Sequence, residues 1–274
     1  MTGNAGNRTA DVAREAEAGA MHKLRAALSE RVIPSLVEQA RRDAPVPDDA
    51  LRDMLLRYAL RGEREGAIAL VTRCVQAGMR PEVLSEDLLG EVARALGRGW
   101  EDDACDFVAV TCGVDLLEAL LREIRQLAPP RLVPTPPARP TVMLANAPGE
   151  QHVFGLSVLR DAFERAGWEV TRSVGGAAPA LLAQVTAQHF DVLALSVATD
   201  RHLSTLPALM KSARRLSTNP RLRLLVGGAA ILRHPETGTR VGADAIGLDA
   251  ETALVEASRI LKETRLAQDD GKPA

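Results

Sequence analysis

Hydrophobic positions follow two different periods along this chain. From about residue 20 to residue 127 apolar residues recur every three or four positions, as in Leu24, Leu28, Val32 and Leu36 and again in Leu116, Leu117, Leu120, Leu121 and Ile124. That spacing lines one face of an α-helix, and no alternation of period two interrupts it. Breaks at Asp43–Asp48, Arg61-Gly62, Gly78–Pro81 and Gly97–Asp103 divide the stretch into four or five helices. A helical bundle is therefore expected over residues 20–127, preceded by a loose polar tail over residues 1–19. Glu101, Asp102 and Asp103 stand ahead of the last helix, where acids suit the positive end of the helix dipole, and are expected to cap it.

Residues 128–140 carry six prolines in thirteen positions, which neither a helix nor a central strand tolerates, so this segment reads as a semi-rigid linker. Beyond it the period changes. Thr141–Asn146 is a short apolar strand, a glycine-bearing loop follows, and an amphipathic helix covers Phe154–Ala166. The unit then repeats, with strands expected at Trp168–Thr171, Asp191–Ser196, Arg221–Val226 and Ala243–Gly247 and helices at Ala178–Gln188, Leu206–Leu216 and Ala250–Thr264. Strict strand–helix alternation with short loops predicts a doubly wound parallel sheet of the Rossmann or flavodoxin type over residues 141–266, with a tail over 267–274. The fold class is thus α plus α/β: an N-terminal helical bundle followed by a parallel-sheet domain. Ligands of such sheets bind at the carboxyl ends of the strands, which directs attention to the loops after Asn146, Ser196 and Val226.

Composition narrows the functional classes. The 274 residues hold 46% hydrophobic and 26% charged residues, close to the globular average, which excludes disorder of the whole chain. The 34 Lys and Arg against 36 Asp and Glu leave a net charge of −2, far from the basic footprint of a protein that grips phosphates unaided, so no direct nucleic-acid partner is expected. Three cysteines with no CxxC spacing suggest neither a disulfide framework nor a zinc site and read as small buried apolar groups. The polar N-terminal stretch and the lack of a run of about 18 apolar residues point away from a membrane and towards a cytoplasmic protein.

The first strand-end loop, Ala147–Gly155, has neither GxGxxG nor a P-loop, which removes the main support for nicotinamide, flavin or nucleoside triphosphate. It offers an imidazole instead. Glu150 and His152 stand two apart in what reads as an exposed loop, so the carboxylate can accept the Nδ1–H and leave Nε2 outward as a metal ligand. Gly155 leaves room for something large to approach the backbone. Ser196 and Thr199 supply hydroxyls at the next strand end, and Gly227-Gly228 offers a side-chain-free surface for a flat group. His22, His189, His202 and His234 lack such company and read as surface or capping residues. No second acid converges on the Glu150–His152 pair, so general acid–base catalysis is not expected and the chain reads as a non-enzyme.

Taken in order and spacing, Glu150-x-His152-x-x-Gly155, Ser196-x-Ala198 and Gly227-Gly228 resemble the motifs of the cobalamin-binding Rossmann-like domain. The resemblance implies His152 as the lower axial ligand of cobalt, with the displaced nucleotide tail running past Ser196 and Thr199 over Gly227 and Gly228. Glu150 stands where aspartate is commoner, and Ala198 where leucine is usual. In the helical half, Leu96-Gly-Arg-Gly-Trp100 is similar to the cap of such proteins, which implies Trp100 over the upper face of the corrin. The Glu-His pair found ten and eleven residues beyond that tryptophan in light-sensing and methionine-synthase types is Val110-Thr111 here, leaving the upper ligand and any role of light open. Trp100–Phe107 together with Pro148–His152, Phe154-Gly155 and Ala166-Gly-Trp168 look most like the AerR/PpaA group of cobalamin-binding antirepressors of photosynthesis genes. That likeness implies a regulator acting through a DNA-binding repressor of the CrtJ/PpsR type. Two alternatives share the same loop: a corrinoid carrier for methyl transfer, and a heme sensor using His152, since a related domain is described as binding heme.

Overall fold

The computed structural model describes residues 45–128, 139–173 and 176–269. The helix expected around Leu24–Leu36, the tail over residues 1–19, most of the proline-rich segment and residues 270–274 lie outside the described residues. Helix α1 spans Asp49–Arg61, begins where the Asp48 carboxylate accepts the Leu51 N–H at 2.8 Å, and ends at Gly62 in the left-handed conformation. Helix α2 is Arg64–Gln76. Helix α3 starts at Pro81–Val83, loosens into a π-helical stretch over Leu84–Leu89, and continues as Gly90–Glu101. Helix α4 is Phe107–Leu127. Gly97 and Gly99 therefore sit inside α3 instead of breaking it, and the break falls at Asp102–Asp106. The cap of α4 is Asp106, whose carboxylate accepts from Ala109 N at 2.8 Å, a correction to the expected role of Glu101, Asp102 and Asp103.

The second half alternates as expected: β1 Thr141–Asn146, α5 Phe154–Arg165, β2 Glu169–Arg172, α6 Ala178–Ala187 and β3 Val192–Ser196. A 3-10 turn at Asp200–Thr205 leads into α7 Leu206–Leu216, followed by β4 Arg223–Gly227. Two short helices, α8 Ala229–Arg233 and α9 Glu236–Arg240, then β5 Ala245–Gly247 and α10 Ala250–Asp269 complete the described chain. The strands run parallel in the order β2-β1-β3-β4-β5. Order reverses between β1 and β3, so the loops leaving these two neighbours diverge to opposite faces and open a crevice between them.

Helix α5 shows how the two halves join. Phe154, Val158 and Ala162, four apart, enter the same apolar cluster as Leu84, Leu88, Leu117, Leu120 and Ile124 of the helical layer. Leu156 and Phe163 on its other face pack with Val142, Leu144 and Val192 of the sheet. Polar contacts stitch the same seam: Arg125 Nε of α4 donates to Asp161 Oδ1 at 2.9 Å, and the Ser157 hydroxyl donates to Glu118 Oε1 at 2.5 Å. From Pro47 on, helices and sheet belong to one compact unit.

Candidate cofactor site at the carboxyl edge of the sheet

At the end of β1 the chain turns sharply. Ala147 N donates to Ser196 O at 2.8 Å and Glu150 N to Ala147 O at 2.9 Å, with Gly149 held at φ +84. A side chain at Gly149 would be strained by that backbone angle, and its Cβ would stand 3.2 Å from the His202 ring. The turn folds Glu150 inward, so its side chain is fully buried, where the loop alone reads as exposed. One carboxylate oxygen accepts from Gln151 N at 2.9 Å, His152 N at 3.3 Å and His152 Nδ1 at 2.5 Å. The other accepts from Ala198 N, Thr199 N and Thr199 Oγ1, each at 3.1 Å. Glu150 thus bridges the loops after β1 and β3 across the switch point. Burial pushes its carboxyl up, but the hydrogen bonds from the His152 ring and backbone and from Thr199, with the His152 charge, outweigh it and hold the group down at about 2.

An ionised Glu150 requires the proton of a neutral His152 on Nδ1, which leaves the Nε2 lone pair unprotonated. The His152 side chain is 59% exposed, and its Nε2 has no hydrogen-bond partner among the described residues. Gly155, in the first turn of α5, has open space where a Cβ would stand.

Asn146, Ser196, Gly227 and Gly247 form one register row across the ends of β1, β3, β4 and β5. The Ser196 hydroxyl makes no hydrogen bond among the described residues. The Thr199 hydroxyl donates to Glu150 and so positions the carboxylate, with its oxygen lone pairs left to accept. Gly227 and Gly228 also have a structural reason beyond a bare surface. A Cβ at Gly227 would lie 2.4 Å from Gly247 O, and one at Gly228, at φ +97, would lie 2.5 Å from Val197 O.

Trp100 lies in the last turn of α3, half exposed, with no side-chain hydrogen bond or ring contact among the described residues. Phe107 and Val108 in the first turn of α4 are 68% and 64% exposed, so the α3–α4 junction carries uncovered apolar side chains. Two participants escaped the sequence reading. His202 is mostly buried, with Nε2 4.0 Å from Glu150 Oε2 and accepting from Arg201 Nε at 3.0 Å, unlike the surface residue expected. Asn146 has a buried Oδ1 without a partner. Of the cysteines only Cys74 is buried; Cys105 is half-buried and Cys112 exposed.

A carboxylate-oriented imidazole thus stands beside a glycine-lined strand edge, an arrangement chemically suited to ligating a large metal-bearing group. Residues 140–258 match the B12 binding domain family, and residues 51–126 match a second B12 binding domain family that covers the helical layer. The chain belongs to the B12-binding domain proteins and is a cobalamin-binding protein. A relative described as an uncharacterized 20.5 kDa protein in the bchF-crtJ intergenic region of Rhodobacter capsulatus is 27% identical over 179 residues, 65% of this chain and 92% of that protein. Among solved structures, the Methanosarcina barkeri monomethylamine corrinoid protein superposes with a TM-score of 0.61 at 15% identity, over 78% of this chain and 100% of that one. That likeness is one of fold. Heme draws no support from these matches. Among the described residues no helix is long and apolar enough to cross a membrane.

Proposed function

We propose that this chain is a cobalamin-binding regulator that acts as a transcriptional antirepressor through a DNA-binding repressor of the CrtJ type. The observation that carries the cofactor half of the reading is the outward Nε2 of His152, with Nδ1 tied to a buried, ionised Glu150. The residues fit the group: His152 would hold the cobalt, Ser196 and the Gly227–Gly228 edge would take the nucleotide tail, and Trp100 would lie against the corrin. When bound, cobalamin would supply a cobalt centre able to exchange a ligand. The protein's part is to fix the imidazole, exclude a competing base and couple the strand edge to the helical layer through α5. The regulatory half is supported by the coding position of the relative, beside crtJ, and by the net charge of −2, which suits action through a protein partner better than through DNA. To switch anything, the cofactor's states must favour two arrangements of the helical layer unequally.

Purified protein mixed with hydroxocobalamin, adenosylcobalamin or heme, desalted, and measured in light and dark tests the cofactor reading. Retained corrinoid with a band shift lost in His152→Ala is expected. Co-elution of the loaded protein with a CrtJ-type repressor, and release of operator DNA from that repressor, is expected for the antirepressor. A corrinoid carrier, whose fold this chain shares, would instead be methylated at Co(I) and demethylated by a partner methyltransferase; such turnover would overturn the regulatory reading.

A further inference from the structure

Three neighbouring strand ends present polar side chains that no protein group answers. Ser196 ends β3 and Ser173 follows β2, and neither hydroxyl has a hydrogen bond among the described residues. Between them, Asn146 ends β1 in register with Ser196, and its Oδ1 is buried without a donor. Native structures rarely leave a buried amide oxygen unanswered, so an outside donor is the ordinary explanation. Asn146 and Ser173 line a pocket with Gly176, Ala177 and Leu181, at the start of α6, where Ala177 supplies no capping side chain. The pocket thus combines an acceptor needing a donor with a hydroxyl and the uncapped Ala178 N–H, since Pro179 has no N–H and Ala180 N already donates to Ala177 O.

We propose that this pocket takes one of the primary carboxamide arms on the rim of a corrinoid, with the arm's NH2 donating to Asn146 Oδ1 and its carbonyl accepting from Ser173 or the start of α6. The inference rests on the corrinoid reading and adds to it a reason for choosing among tetrapyrroles. A heme offers carboxylates at its rim, which cannot donate to Asn146 Oδ1, whereas a carboxamide answers both halves of the pocket. Asn146 is then a specificity residue distinct in role from the His152 ligand and from Ser196 and the Gly227–Gly228 edge proposed for the tail.

Visible-absorbance titrations of wild type, Asn146→Leu and Ser173→Ala with hydroxocobalamin and with cobinamide, which lacks the nucleotide tail but keeps the carboxamides, test this. Circular-dichroism melts of the ligand-free proteins report folding. Asn146→Leu should weaken both corrinoids about tenfold and Ser173→Ala about threefold, the range of single neutral hydrogen bonds. Heme retention should not fall. Affinities within twofold of wild type for both variants overturn the proposal and leave a pocket answered by water. A loss seen with hydroxocobalamin alone overturns it in favour of a tail contact. If Asn146→Leu fails to fold, Ser173→Ala alone decides by the same comparison. A wild type that retains neither corrinoid overturns the reading beneath the proposal, an outcome distinct from the others.

Discussion

A glutamate two residues before a histidine reads in the sequence as a ligand and its orienting group, and that much follows from spacing. The burial of Glu150 does not, because three of its six donors come from Ala198 and Thr199, some fifty residues away, and only the strand order brings those loops together. His202 and Asn146 were illegible for the same reason, since neither belongs to a local pattern. Glu150→Gln keeps the shape but turns an NH2 towards backbone N–H donors, so it should cost about 2 kcal/mol in urea unfolding. It should also diminish the His152-dependent band shift on hydroxocobalamin binding, because Nδ1 loses its carboxylate acceptor. The cost should depend on pH in a definite direction. A carboxyl held down at about 2 contributes stability that is complete above the ordinary carboxylate range and is lost as pH falls towards 2. The stability gap between wild type and Glu150→Gln should therefore be widest at neutral pH and narrow below about pH 4.

At the level of elements, every strand from β1 to β5 stands within two residues of its expected limits, because a short apolar run between turn signals leaves few alternatives. The 3-10 turn at Asp200–Thr205 and the short helices α8 and α9 carry too few residues to show a period. Gly97 and Gly99 read as a break because glycine disfavours helix interiors, yet α3 runs through them; a Cβ at Gly99 would come within 3.0 Å of Cys105 Sγ. The double glycine after β4 was legible as a motif but not as packing. Gly228→Ala would set a Cβ 2.5 Å from the Val197 carbonyl oxygen and strain a backbone at φ +97, and no flexible side chain is there to yield. We expect a loss of about 3 kcal/mol in thermal or urea unfolding, together with loss of corrinoid retention, since the same edge carries Ser196.

Across the whole molecule the helical layer and the sheet share α5, and a second seam joins α3 to α10. Glu86, in the π-helical stretch of α3, accepts the Glu251 N–H at the start of α10 through Oε2 at 3.3 Å. Burial drives its carboxyl up, the Glu251 N–H opposes that, and the nearby Asp249, Glu251 and Asp87 charges add to it, so the group titrates at about 7. The linkage has the opposite sign to that of Glu150. Between the ordinary carboxylate value and 7 the folded protein keeps a proton that the unfolded chain has released, so stability falls as pH rises through that window and levels off above it. The full difference is worth at most about 3 kcal/mol, reduced by whatever solvent reaches the half-buried side chain. Glu86→Gln removes the titration and keeps an acceptor for the Glu251 N–H. It should match wild type near pH 5 and exceed its urea-unfolding stability by about 1 to 2 kcal/mol near pH 8, a gap that opens across pH 5 to 7. An equal offset at both pH values would show that Glu86 does not change its proton count on folding, and that the seam between α3 and α10 is indifferent to pH.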